Sequence, residues 1–175
     1  MKRIRSVKPE IRLIGIDDGS PKRVSKFPVV GAVLRGGLWL DGVVGIEIDL
    51  KAGGVVEAIA QMILSSRFYK ELRVIMLHGR FISNIAPGGL MRLHEICGLP
   101  VMAFFETDAW KRCIEPSEGD APLLSIKQGG FHILCLSLTK ENAEAILKVS
   151  WKSSDLPEPL RVARLLASAL KPVKS

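Results

Sequence analysis

Residues 13–19, Leu-Ile-Gly-Ile-Asp-Asp-Gly, form an apolar run that ends in two carboxylates and a glycine. Three large aliphatics within four residues need cover on both faces, which predicts a central strand of a sheet. Asp17 then stands where a core strand surfaces, and a rigid strand end holds an oxygen ligand for a metal better than a mobile loop does. Asp18-Gly19 reads equally well as an ordinary polar turn that closes the strand.

Outward from this run, FPVVGAVLRGG (27–37) predicts a second strand and GLWLDGVVGIEIDL (37–50) a third. In the third, Val44, Ile46 and Ile48 alternate with Gly45, Glu47 and Asp49, separating a buried face from a wet one. Short glycine-containing connections between these strands predict an antiparallel meander. The period then changes. Val56, Ile59, Ala60 and Ile63 predict a helix over 54–66, ELRVIMLHG (71–79) a fourth strand, Gly89–Cys97 a second helix, and PVMAFFE (100–106) a fifth strand. The order β-β-β-α-β-α-β predicts an α/β fold with a mixed sheet: strands 1 to 3 antiparallel, strands 1, 4 and 5 parallel, helices on the faces. The remainder predicts a helical turn at 108–114, a loop at 115–122, and a hairpin through LLSIKQGGFHILCLSL (123–138) turning at Gln128-Gly129-Gly130. Two helices complete the chain, KENAEAILKV (140–149) with Thr139 as its N-cap and PLRVARLLASALK (159–171) opened by Pro157 and Pro159.

The 175 residues, 47% hydrophobic and 25% charged, suit a single domain over 1–175 with a sizeable core. No apolar run approaches the roughly 20 residues of a membrane span, and the basic start MKRIRSVKPEIR leads into no signal-like core, so a cytoplasmic protein is expected. Cys97, Cys113 and Cys135 show no C-x-x-C pairing and read as core thiols. Twenty-five Lys and Arg against 18 Asp and Glu give a net charge of +7, which suits an anionic partner, nucleic acid being the usual one. The excess gathers in Lys2, Arg3, Arg5, Lys8 and Arg12, in Lys22, Arg23 and Lys26, and near the C-terminus. There Arg161, Arg164, Ser168 and Lys171 are spaced to share one helix face, making Arg161, Arg164 and Lys171 candidates for nucleic-acid contact. Arg161 has a structural alternative, pairing with Glu158 or Asp155. His94 and His132 read as packing and strand residues, and Trp39, Trp110 and Trp151 as packing anchors that could also stack on bases. The chain carries no G-x-x-x-x-G-K-[ST] loop, no G-x-G-x-x-G and no serine hydrolase elbow.

LIGIDDG, VVGAVLRGG, RVIMLHG, EICGLPVM and LPEPLRVARLLASAL together resemble an uncharacterised archaeal family (domain of unknown function ninety-nine) related to endonuclease V, of ribonuclease H-like fold. The resemblance covers nearly the whole chain. Its most specific parts are the Gly-x-Pro before the fifth strand and the Pro-Glu-Pro-x-Arg that opens the last helix. It implies a divalent metal, Mg or Mn, held by carboxylates at the end of the first strand, near the first helix, and at the end of the fourth strand. Asp17 matches the first position and Glu57 the second, by a gapless count back from His78-Gly79. At the third position His78 replaces the usual Asp. A neutral imidazole binds Zn or Mn, whereas Mg prefers hard oxygen, so this departure weakens a Mg site in particular. The Tyr-x-Pro wedge of endonuclease V has no counterpart in IDLKAGG (48–54), and its His-Pro-Arg turn has become IAPGG (85–89).

The implied catalytic set is Asp17, Glu57 and His78, and the implied metal ligands are Asp17, Asp18 and Glu57, with Asp49 or Glu106 in reserve. Three readings follow. The first is a nucleic-acid-binding ribonuclease H-like domain with a degraded metal site, the second an active Mg- or Mn-dependent endonuclease, and the third a non-catalytic interaction module such as a homodimer. All expect Asp17, Glu57 and His78 to converge at one end of the sheet.

Overall fold

The computed structural model describes residues 4, 6–19, 25–85, 88–106, 108, 111, 123–152 and 155–170. Strands β1 (Arg12–Asp17), β2 (Lys26–Arg35), β3 (Trp39–Asp49), β4 (Val74–Leu77), β5 (Val101–Phe105), β6 (Leu123–Gln128) and β7 (Phe131–Leu136) form one 7-stranded sheet in the order β3-β2-β1-β4-β5-β7-β6. Helices α1 (Val55–Leu64), α2 (Ile82–Ile85), α3 (Gly89–Cys97), α4 (Lys140–Ser150) and α5 (Glu158–Ala169) cover it. The meander β1-β2-β3 is antiparallel, and β1, β4 and β5 are mutually parallel neighbours, as the sequence predicts.

The central run accounts for the layering. Leu13 faces one side, where it meets Val74, Met76, Met102 and Phe104 beneath α4 and Leu160. Ile14 and Ile16 face the other, where they meet Ile75, Leu77, Val101 and Ala103 beneath α1 and α3. Covered on both faces, β1, β4 and β5 read as unbroken apolar runs. The edge strand β3 has only one such face: Val44 and Ile46 pack inward while Val43 and Glu47 are exposed.

Gly15 and Gly19 seat the last helix. A Cβ at Gly15 would lie 2.2 Å from the carbonyl carbon of Pro159, and one at Gly19 would lie 2.6 Å from the amide nitrogen of Ser168, so the backbone of α5 rests directly on β1 and its end. Nine helical steps and four strand steps both span about 13 Å, which is why this pair of glycines matches this stretch of helix. The Pro-Glu-Pro opening fixes the first turn, with Pro157 as N-cap and its carbonyl accepting from the Leu160 amide at 3.0 Å.

Elsewhere, Thr139 caps α4 by accepting from the Asn142 amide at 3.2 Å, and the hairpin turns where expected. Cys97 and Cys135 are core thiols; burial pushes them up to about 11 and about 12, which leaves them inert. Trp39 departs from its expected packing role and is 66% exposed, because it begins the edge strand where no helix covers it. The expectations for Lys2, Arg3, Arg5, Lys22, Arg23, Trp110, Cys113, Lys171 and most of 107–122 fall outside the described residues. Among the described residues no helix is long and apolar enough to cross a membrane.

Candidate functional site

Because β1, β4 and β5 are parallel, the residues that follow them emerge at the same edge of the sheet: Asp17 closes β1, His78 follows β4, and Glu106 follows β5. The His78 amide donates to the Ile16 carbonyl at 3.0 Å, prolonging the ladder by one step and setting the imidazole beside Asp17. His78 Nδ1 lies 2.6 Å from Asp17 Oδ2, and Nε2 lies 3.3 Å from Glu106 Oε1. Asp17 and His78 are buried, whereas the Glu106 side chain is 58% exposed. Ionised carboxylates only accept hydrogen bonds, so a ring that donates to both must carry protons on both nitrogens. Burial opposes that charge, as does Arg164, but the Asp17 hydrogen bond and the Asp17 and Glu106 charges outweigh them, and the pKa of His78 is raised.

The two aspartates are held differently. Asp17 Oδ1 accepts from the Gly19 amide at 2.6 Å, an Asx turn that fixes the carboxylate. Asp18 Oδ2 accepts from the Phe81 amide at 3.0 Å. Gly79 makes room for this contact: its φ is +114°, and a Cβ there would lie 2.6 Å from Asp18 Oδ1. The glycine after His78 therefore does more than end a strand. It lets the loop close over the buried Asp18 carboxylate.

Glu57 does not join the group. It sits in the first turn of α1, half exposed, with Arg92 of α3 at 3.7 Å, and makes no hydrogen bond or ion pair to Asp17 or His78. Asp49 is engaged with the Lys51 amide at 2.9 Å and Lys26 at 3.8 Å. Both oxygens of Asp17 and both nitrogens of His78 are taken up within the chain, and among the described residues no group of three or more His, Cys, Asp and Glu side chains is arranged to hold a metal ion. In this arrangement the residues fit a protonated imidazole between two carboxylates, not a divalent cation.

The basic helix face divides. Arg161 is clamped by Glu158, with Nε at 3.0 and 2.9 Å from the two carboxylate oxygens and Nη2 at 2.7 Å, the pairing that the spacing allows. Arg164 lies one turn on, within electrostatic reach of His78. Sequence reasoning missed the aromatic wall behind the site. Phe131 meets His78 edge-on, with ring centroids 5.7 Å apart, a contact made across the sheet that local patterning cannot signal.

A parallel β1-β4-β5 core flanked by the antiparallel meander β1-β2-β3 is a ribonuclease H-like fold. The chain belongs to the endonuclease dU family, whose profile matches residues 9–115. It is 32% identical to a UPF0215 protein of Methanothermobacter thermautotrophicus over 95% of this chain and 90% of that one. It is 30% identical to a UPF0215 protein of Methanopyrus kandleri over 96% and 95%. Among solved structures, a protein of unknown function from Archaeoglobus fulgidus superposes with a TM-score of 0.68 at 25% identity, covering 90% of this chain and 96% of that one. Endonuclease V of Ciona intestinalis, solved with a 24mer DNA containing an inosine followed by a ribo-adenosine, shares the fold with a TM-score of 0.57 at 13% identity, covering 89% and 83%.

Proposed function

We propose that the protein binds nucleic acid at the sheet edge carrying Asp17, His78 and Glu106, and that its divalent-metal site has been replaced by an internal cation. The observation that carries this reading is His78 bridging Asp17 at 2.6 Å and Glu106 at 3.3 Å. The imidazole stands where the resemblance expects a third carboxylate, and it neutralises the carboxylates that would otherwise attract Mg or Mn. Arg164 beside this edge supplies phosphate affinity, with Lys171 further along the same sequence spacing. Arg161, neutralised by Glu158, contributes less.

Two measurements test it. Titration of labelled single-stranded and duplex oligonucleotides at two salt concentrations should show binding that weakens steeply with salt, by a log-log slope of about 0.7 to 0.9 per phosphate contact. A protein with Arg164→Glu and Lys171→Glu should bind more weakly. Undetectable binding in both proteins would favour the interaction-module reading, a second copy of the chain included. In calorimetry, His78→Asp should raise Mn affinity about tenfold or more by adding a hard oxygen ligand and removing a cation. No gain would mean that the acidic cluster does not serve a metal even without the histidine.

A second reading, an active Mg- or Mn-dependent endonuclease, is favoured by the description of the family as endonuclease dU and by the two buried aspartates at the end of β1. The first reading expects no cleavage of deoxyuridine- or inosine-containing oligonucleotides with either metal. Cleavage that Asp17→Asn abolishes would replace it.

A further inference from the structure

Beside the site, and absent from the reading of its ionic groups, lies a cavity of about 380 Å³ lined by Trp151, Gln128, Gly129, Lys148, Lys152 and Asp155. Phe131 connects the two places: its ring is 5.7 Å from His78 on one side and 6.1 Å from Trp151 on the other. On the reading that this edge binds nucleic acid, we infer that the cavity is a stacking subsite for one base of a single strand, with Trp151 as the platform and Lys148 and Lys152 as phosphate contacts.

Three observations carry the inference. The indole is braced before any ligand arrives, by edge contacts from Phe104 at 6.2 Å and Phe131 at 6.1 Å and by the hairpin backbone at Gly129, where a Cβ would lie 2.4 Å from the ring. Stacking on a ring already fixed loses little rotamer freedom. The flanking cations are unused: Lys148 and Lys152 are exposed and make no ion pair with a described residue. The one acid on the rim, Asp155, is outnumbered by the two lysines. An indole in the wall of a cavity of nucleotide size, beside two exposed lysines, is the combination that single-strand binding uses, because every base has a π-face and every linkage a phosphate. The distance from Trp151 through Phe131 to His78 would let neighbouring nucleotides of one strand reach both places.

The test uses the full chain with Trp39→Phe and Trp110→Phe, so that Trp151 is the sole indole. It is titrated with an oligodeoxythymidylate and with the matching oligouridylate at low salt. Trp151 emission should be quenched in step with binding, and equal quenching by both strands would place the contact on base and phosphate, not on the 2′-hydroxyl. Trp151→Ala should weaken binding about 5- to 100-fold, while Trp151→Phe, which keeps a stacking face, should recover most of it. Lys148→Glu with Lys152→Glu should flatten the log-log salt slope by about 1.4, the value for two single-strand phosphate contacts. Both lysines are exposed, so this variant remains informative if Trp151→Ala unfolds the hairpin. Oligonucleotide binding with unquenched Trp151 and an unchanged salt slope would overturn the subsite and leave the nucleic-acid reading standing. No binding by the unaltered protein would overturn both.

Discussion

The protein buries two histidines, His78 and His94, to almost the same degree, 3% and 6% exposed, and their neighbours give them opposite characters. His94, in the last turn of α3, has Nδ1 at 2.7 Å from the Leu99 carbonyl and Nε2 at 2.9 Å from the Ser137 hydroxyl. A carbonyl only accepts, so Nδ1 carries the proton, and the hydroxyl can turn to donate to the bare Nε2. A neutral ring is thereby fully satisfied. His78 has two carboxylates instead, and only a charged ring satisfies both. Burial decides how much a wrong protonation state costs; the partners decide which state is wrong. His94 ties the end of α3 and the approach to β5 to the residue following β7, whereas His78 sits at the opposite ends of the parallel strands.

The largest test of this contrast replaces each ring by leucine. His78→Leu strands a buried Asp17 charge and should cost about 3–5 kcal/mol near pH 6, and His94→Leu, which strands only a carbonyl and a hydroxyl, about 1–3 kcal/mol. Urea unfolding of both measures it, and the reverse ranking would break the comparison. A second test follows the sign of the His78 shift. Its folded pKa is raised, so its contribution is fully present below the unfolded value of about 6.5 and is lost as pH rises through the folded pKa. The stability gap between the unaltered protein and His78→Gln should therefore be widest near pH 6 and narrow on the alkaline side. A gap that widens with pH would mean that the ring is neutral. The smallest effect concerns Ser137, the one non-glycine residue with positive φ (58°) among those described. Ser137→Ala keeps the strained backbone and removes the hydroxyl from His94, while Ser137→Gly relieves the strain. The glycine variant should be the more stable of the two by about 1 kcal/mol, read from the shift in melting temperature.

Much of this arrangement is legible in the sequence, for local reasons. The unbroken apolar runs of β1 and β5 and the alternation in β3 report how many faces each strand buries, and strand order follows from the helical crossovers. Asp17, His78 and Glu106 are visible as strand-end residues, and the Glu158–Arg161 pair follows from a three-residue helix spacing. The sequence places Glu57 in the right helix but not in its surroundings, because its direction depends on two consecutive left-handed glycines, Gly53 and Gly54, and on Arg92 from another helix. The four-residue α2 is too short to show a period. The braced Trp151 arises from hairpin and helix meeting at a distance in sequence, which composition alone does not reveal.

The seating of α5 on Gly15 and Gly19 also sets an order of events during synthesis. Ser168 and Gly19, joined by a side chain to carbonyl contact, are 149 positions apart, so the first strands of the sheet are made long before the helix that covers them. Until then the outward sides of Ala32 and Leu34, which close against Ala163 and Val162, have nothing to shield them. Nascent chains are expected to hold β1 and β2 in an unfinished, chaperone-accessible state until the Pro-Glu-Pro segment clears the ribosome. Ribosome-bound chains arrested before residue 157 should then be cut by protease within β1–β3, and chains arrested on a C-terminal extension long enough to carry residue 170 out of the ribosome should resist. Equal resistance in both would show that the meander folds without its latch.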